Sequence, residues 1–181
     1  MNIISKLKYS AVLLGVAAAV LTPHVAWASL TGDSRQALRQ LVAQNPAAAR
    51  LNKKAVAILV FPDVVKAGFI LGAQEGQGTL FMNGNPSGRF RTIAASYGLQ
   101  AGVQKYGYAL FLMNQKAVDW MNNTNGWEIG TGPSVVIVDK GMARSLTTDT
   151  LHSGIYAFTF DQQGLMAGMG LQGAKITRIG N

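Results

Sequence analysis

The segment that decides the fold is AVAILVFPDVVKAGFILGAQEGQGTL, residues Ala55–Leu80. It opens with a continuous apolar run, Ala55–Phe61, which is typical of a buried strand and which Pro62-Asp63 is expected to end. Glycines then recur at every fourth residue: Gly68, Gly72 and Gly76. In a strand this even spacing puts the glycines on one face, where a second element can approach closely or the sheet can bend sharply.

Two later segments repeat the glycine spacing, at Gly98 and Gly102 and again at Gly164 and Gly168. The same spacing in a long apolar helix would indicate packing between membrane helices. Here the segments are short and are interrupted by Gln, Glu and Lys, so strands are the better interpretation. The sequence therefore predicts a glycine-rich, strongly curved sheet.

The connections between the apolar runs favour antiparallel pairing. Asn83–Gly88 is dense turn sequence and predicts a hairpin loop, and Lys105-Tyr106-Gly107 predicts a tighter turn. Asn114 is expected to cap a short helix, Gln115–Met121. Further strands are predicted from β-branched and aromatic content, at Ser134–Val138, Ile155–Phe160 and within Leu165–Ile179.

Two short helices are predicted ahead of the first strand. Asp33 or Ser34 would cap a helix through Leu38, Leu41 and Val42, and Asn45 would cap a second helix, Pro46–Lys54. Both are amphipathic and basic, a pattern typical of helices that lie on a membrane surface. The alternative is that their apolar stripe packs on the core of the same domain. The predicted class is α+β: a strongly curved, mostly antiparallel, Gly-rich or barrel-like sheet of roughly eight strands with short N-terminal amphipathic helices.

Residues 1–28 resemble a signal peptide. Lys6 and Lys8 precede an apolar run, Ala11–Leu21, and Ala26-Trp27-Ala28 offers small residues for cleavage before Ser29. A run of about 11 apolar residues is too short to cross a membrane core that needs roughly 20. We expect export to the periplasm or beyond, with residues 29–181 forming one domain. The sequence has no cysteine, so a lipobox anchor is not expected and membrane association would be peripheral.

Loss of the leader would lower the formal charge from +8 to about +6. Most of this charge lies in Ser29–Lys66, which has 6 cations and 2 acids. A basic surface attracts anionic lipid, nucleic acid or acidic polymers. Nucleic acid is not expected as a partner outside the cytoplasm, so the charge points to anionic phospholipid on a membrane surface.

The sequence shows no catalytic pattern. His152 stands without a second metal ligand at helical or hairpin spacing, and the glycines are not followed by the Lys-Ser/Thr of a phosphate loop. Asp63 and Asp139 each follow an apolar strand, yet both occur in ordinary turn sequence. We therefore expect no enzyme activity, no catalytic residue, no metal site and no cofactor.

The segment from Val56 to Leu80 resembles the start of the SYLF domain, a family of lipid-binding eukaryotic proteins and exported bacterial proteins. Later blocks resemble the family in the same order: Thr92–Val103, Asp119–Gly130, Pro133–Gly141 and Phe158–Ile179. The resemblance covers nearly all of the chain after the leader.

This resemblance implies binding of membrane lipid, with phosphoinositides as the ligand of eukaryotic members, some of which also bind actin. Only affinity for anionic lipid is expected to transfer to a bacterial envelope. Eukaryotic members use a basic amphipathic region ahead of the domain. The residues expected to bind lipid here are Arg35, Arg39, Arg50, Lys53, Lys54 and Lys66.

A protein-interaction or structural module of the envelope is the alternative function. In that case the glycine-rich sheet and exposed aromatic residues such as Trp120 and Trp127 would dock an envelope protein, and no lipid would be bound directly.

Overall fold

The computed structural model describes residues 23–68, 71–97, 102–123, 126–129, 134–138, 154–164, 171 and 173–180. Within them the helices are α1 (Pro23–Gln44), α2 (Pro46–Asn52) and α3 (Gln115–Asn123). The strands are β1 (Ala57–Gly68), β2 (Leu71–Met82), β3 (Asn85–Tyr97), β4 (Gly102–Leu112), β5 (Trp127–Glu128), β6 (Val135–Ile137), β7 (Ile155–Gly164) and β8 (Lys175–Gly180). The predicted α+β class is confirmed.

All eight of these strands form one sheet, in the order β5-β8-β3-β2-β1-β4-β7-β6. Every pairing is antiparallel except that of β6 with β7, which is parallel. The sheet curls into a half-barrel. The prediction of a strongly curved, mostly antiparallel sheet is therefore confirmed, with the four long strands β1 to β4 at its centre.

Apolar side chains cover both faces of the central strands. The larger cluster defines what we call the inner face; it includes Leu59, Phe61 and Tyr108, and α3 adds Val118 and Met121. The other side, which we call the outer face, carries the second cluster, in which Ala37 and Leu41 of α1 and Leu51 of α2 pack on Val60 and Phe111, among others. The two N-terminal helices thus pack on the sheet.

Glycines on the inner face of β2 let its neighbours approach closely. A Cβ on Gly76 would lie 2.7 Å from both the carbonyl oxygen of Asp63 and Cγ2 of Val64. A Cβ on Gly78 would collide with the carbonyl oxygen of Val60 and would lie 2.7 Å from Cδ1 of Phe61. The predicted role of the glycine spacing, close approach on one face, is therefore confirmed at Gly76, and Gly78, which lies outside that spacing, has the same role.

Two tyrosines of β4 lie across this inner face. Tyr108 stacks on Phe61 with 4.7 Å between ring centroids, and the Tyr106 hydroxyl donates a 2.9 Å hydrogen bond to Oε1 of Gln74. Burial raises the pKa of Tyr106 to about 12, although the bond to Gln74 acts in the opposite direction. Burial also raises the pKa of Tyr108 far above its ordinary value. Both phenols therefore stay neutral in the folded protein at physiological pH.

Strand β1 is longer than predicted because Pro62-Asp63 does not end it. The pairing with β2 changes register between Val60 and Asp63, and the pairing with β4 changes between Phe61 and Val64. Such a bulge accommodates a proline that lacks a hydrogen-bond donor and increases the local twist. The prediction that β1 ends at Phe61 was wrong.

The predicted hairpin after β2 is present, but its turn has only two residues. Asn83 and Gly84 have φ values of 50° and 77°, the positive angles that a type I′ turn requires. The following residues, from Asn85 onward, already belong to β3. The tight turn predicted at Lys105-Tyr106-Gly107 was wrong, because these residues lie inside β4.

Of the predicted helix caps, two are present and one is not. Oδ1 of Asn45 accepts bonds from the amides of Ala47 and Ala48, and Oδ1 of Asn114 accepts from the amide of Ala117, so both predicted asparagine caps are confirmed. The predicted cap at Asp33 or Ser34 was wrong, because α1 begins at Pro23 and continues through both residues. Ser34 is buried instead, and its hydroxyl donates a 3.4 Å bond to the carbonyl oxygen of Val60.

Helix α1 begins inside the predicted leader. Trp27, two residues before the expected cleavage point, has its ring 5.4 Å from the guanidinium of Arg89 on β3. Cleavage before Ser29 stays a prediction, and it would remove this contact.

Candidate functional site

A groove of about 500 Å³ lies where α1 crosses the outer face of the sheet. One wall is the α1 face formed by Arg35, Leu38, Arg39 and Val42. The rest of the lining comes from the end of α2, the start of β1 and the β2–β3 turn: Asn52, Ala55, Val56, Ala57, Ile58, Phe81, Asn83 and Gly84. We call it the basic groove, since the charged side chains among these described lining residues are both arginines.

The two arginines lie on one side of α1 because they are four residues apart. Nη1 of Arg35 donates a 3.2 Å hydrogen bond to the carbonyl oxygen of Gly84, and its guanidinium lies 5.2 Å from the centroid of the Phe81 ring. These contacts fix Arg35 at the end of the groove beside the β2–β3 turn. Arg39, one helical turn further on, is exposed at the rim.

The apolar stripe of α1 is divided between the core and the groove. Leu41 is only 5% exposed and packs with Ala37 in the outer cluster. Leu38 is half-buried against that cluster, and both it and Val42 line the groove. Of the two interpretations of this stripe, packing on the domain's own core is the one observed.

Two further predicted residues lie beside the groove and not in it. Lys53 and Lys54 form the exposed turn after α2, between the lining residues Asn52 and Ala55. The turn is held by α2, because the amides of Lys54 and Ala55 both donate to the carbonyl oxygen of Leu51. Arg50 is exposed on α2 itself.

Lys66 does not join this group. It follows Val64 by two residues on β1, and Val64 belongs to the inner cluster, so the Lys66 side chain projects from the inner face. The structure thus places five of the six predicted residues on the helices of the outer face and the turn after α2, two of them in the groove lining, and places the sixth on the opposite face.

The chemistry available at the groove is charge attraction and apolar contact. Guanidinium groups bind phosphate through several donors, while Leu38, Val42, Val56 and Phe81 offer apolar surface beside them. Two acids in the described region are paired on the outer face: Asp63 with Lys105 at 2.9 Å, and Glu75 with Arg91 at 2.8 Å. No cluster of three or more metal-ligating side chains occurs among the described residues, and His152 lies outside them.

Sequence reasoning did not identify the sheet residues of the groove. Phe81 and the Asn83-Gly84 turn lie about 45 residues from Arg35 along the chain, and the bond from Arg35 to Gly84 spans 49 residues. A helix pattern cannot show which strand end the helix will meet. Trp127, predicted as an exposed docking residue, is buried at 2% exposure, whereas Trp120 is exposed.

These residues form an α+β domain with a basic, partly apolar groove. Residues 93–180, about half of the chain, match the Ysc84 family, described as Las17-binding protein actin regulator. The chain therefore contains a domain of the SYLF family, as the resemblance indicated. A comparison with curated proteins gave no match. The matched segment begins within β3, so the predicted lipid-binding residues all precede it. None of the helices in the described part of the chain is long and apolar enough to cross a membrane.

Proposed function

We propose that this protein is exported and binds anionic phospholipid surfaces through the basic groove and the adjoining Lys53-Lys54 turn. The observation that carries the proposal is the groove itself, in which Arg35 and Arg39 lie above an apolar floor. That combination suits an amphiphile whose phosphate meets the arginines and whose glycerol and upper acyl carbons meet the floor. Membership of the SYLF family is consistent with lipid binding or actin-related binding.

The packing of α1 favours attachment by charge over deep insertion. Leu41 could enter a bilayer only if α1 left the sheet, which would expose the outer cluster and break the bond from Ser34 to Val60. Leu38 and Val42 can touch lipid without such a change. Each cation near an anionic surface is worth on the order of 1 kcal/mol, and salt screens that attraction within a Debye length of about 10 Å at 0.1 M.

The test is sedimentation with vesicles of phosphatidylglycerol and, separately, of phosphatidylcholine. We expect binding to the anionic vesicles only, a loss of tenfold or more in affinity for the double variant Lys53→Glu/Lys54→Glu, and release by salt. The matched control is Lys116→Glu/Lys175→Glu, which changes the net charge equally at two exposed lysines on α3 and β8. Similar losses in both double variants would mean that total charge, and not this surface, determines binding.

A second candidate function, docking of an envelope protein, is favoured by one observation. Beyond the bulge in β1 the outer face exposes Val65 (46%), Ile93 (41%) and Val103 (62%) on three different strands, with Glu75 between Val65 and Ile93. Exposed apolar side chains that lie near one another often mark an interaction surface. Equal binding to both vesicle types, or to neither, would overturn lipid binding and leave this alternative.

A further inference from the structure

Beyond Val64, polar side chains lie next to one another on the inner face of three central strands. Gln74 and Gln104 are the Cα partners of Lys66 on either side, so these residues form a row across β2, β1 and β4. Gln74 is 4% exposed and Gln104 3%, while Lys66 is half-buried. We call Lys66, Gln74 and Gln104 the inner polar row. Solvent reaches it at Lys66.

The row has hydrogen-bonding atoms that the protein does not use. The Tyr106 hydroxyl donates a hydrogen bond to Oε1 of Gln74, but Nε2 of the same side chain is buried and has no partner. Oε1 of Gln104 is also buried and unpaired. Each unpaired buried polar group destabilises the fold, because it has lost its bonds to water without gaining a partner in the protein. A row that combines such groups on one face is therefore suited to bind a molecule that has both donors and acceptors.

The charge of the row determines whether it binds an anion or a cation. The carboxylates on neighbouring residues, Asp63 and Glu75, are ion-paired with Lys105 and Arg91 on the outer face, and no acid belongs to the row itself. Lys66 therefore supplies a positive charge, Gln74 a donor and Gln104 an acceptor. An anion that also has hydroxyl groups matches all three.

We propose that the inner polar row is a second binding site, for a small hydroxylated phosphate ester such as a polyol phosphate. The phosphate lies at Lys66 and takes a hydrogen bond from Nε2 of Gln74, while a hydroxyl donates to Oε1 of Gln104. This site is independent of the basic groove, because it lies on the opposite face of the sheet and uses Lys66, the predicted lipid-binding residue that projects from that face.

The probe is glycerol 3-phosphate, and the measurement is the shift of the glutamine side-chain amide signals in NMR titrations of the full chain. We expect saturable shifts for Gln74 and Gln104, and weaker binding of inorganic phosphate, which lacks the polyol hydroxyls, and of glycerol, which lacks the charge. Lys66→Met should weaken binding tenfold or more. Lys116→Met, which removes an exposed charge on α3 outside both proposed sites, is the matched control and should not change it.

Gln104→Leu tests the acceptor and should reduce the preference for glycerol 3-phosphate over inorganic phosphate. If this variant does not fold, the Lys66→Met and Lys116→Met pair still decides the question. Unshifted glutamine amides in the wild type would mean that the row holds ordered water only and would overturn the proposal. Binding that survives Lys66→Met but is lost in Arg39→Ala would also overturn it, because the anion would then lie in the basic groove.

The same titration with phosphatidylglycerol vesicles identifies the source of the ligand. Shifts at Gln74 and Gln104 that depend on Lys66 would support a lipid headgroup as the occupant. Shifts with soluble glycerol 3-phosphate alone would support a free metabolite. Vesicle binding that fails altogether while the soluble ligand still binds would contradict the proposed function of the groove and leave this site intact.

Discussion

Val65 and Ala67 are exposed on the outer face of β1. Lys66, which separates them in the sequence, projects from the inner face, where its partners on the neighbouring strands are the buried Gln74 and Gln104. Before the bulge the same strand has apolar side chains on both faces, because α1 covers one side and the aromatic core the other. The two halves of one strand therefore follow different rules. The half before the bulge is apolar on both faces, whereas beyond Val64 the strand turns the polar Lys66 inward and exposes Val65 and Ala67.

This difference teaches that alternation along a strand shows where its two faces are but not which face is the core. Beyond the bulge, a reader who assigns apolar residues to the interior would place Val65, Ile93 and Val103 inside, whereas all of them are exposed. A sheet end that lines a polar site reverses the usual pattern, and the reversal itself is the signal for the site.

The largest expected effect tests whether the inner face depends on its glycines. Gly78→Ala should lower the free energy of unfolding by about 3 kcal/mol, because the new methyl meets the backbone of Val60 and the ring of Phe61. Gly32→Ala on α1 has open space around it and should raise stability by about 1 kcal/mol through helix propensity. Urea unfolding of both variants checks the pair. Equal effects would show that the close approach at Gly78 is not important.

A smaller effect separates the two tyrosines of the inner face. Tyr106→Phe should cost about 1 kcal/mol, because it removes the bond to Gln74 and leaves a second atom of that buried amide unpaired. Tyr108→Phe should cost less, because the hydroxyl that it removes is buried and has only a weak contact with the Thr92 hydroxyl. Thermal unfolding of the two variants compares them directly. A larger loss for Tyr108→Phe would show that its hydroxyl has a partner in solution.

The smallest effect concerns the outer face. Arg35→Ala should lower stability by about 0.5–1 kcal/mol, because the bond to Gly84 and the contact with Phe81 are both lost at an exposed position. Arg39→Ala, at the exposed rim, should leave the unfolding midpoint unchanged. If lipid binding occurs in the groove, both variants should nevertheless weaken binding to phosphatidylglycerol vesicles several-fold. A stability loss in Arg39→Ala would show that this side chain supports the fold.

Local signals predicted most of the architecture. The asparagine caps at Asn45 and Asn114, the hairpin near Asn83 and the glycine face were all visible because each depends on a few neighbouring residues. The bulge at Pro62-Asp63 was missed, since these residues favour a turn unless two neighbouring strands hold them in a sheet. Lys105–Gly107 was assigned to a turn for the same reason.

The candidate sites were less accessible to sequence reasoning. The charges around the groove were found because five of them lie close together in the chain, whereas Phe81 and Gly84 meet them only after folding. Gln74 and Gln104, 30 residues apart, become near neighbours only because β2 and β4 both pair with β1. Nothing local distinguishes a buried glutamine in such a row from an exposed one.

The bulge also determines which changes in chain length β1 can tolerate. Relative to both neighbours, β1 has one additional residue near Pro62. A deletion of Pro62 would restore regular pairing and leave Val64 and Lys66 on the inner face, at the expense of some local twist. A deletion at Val65 would instead turn Lys66 outward and shift the rest of the strand out of phase. Length variation among related sequences is therefore expected at Pro62 and its immediate neighbours, and not between Val64 and Gly68.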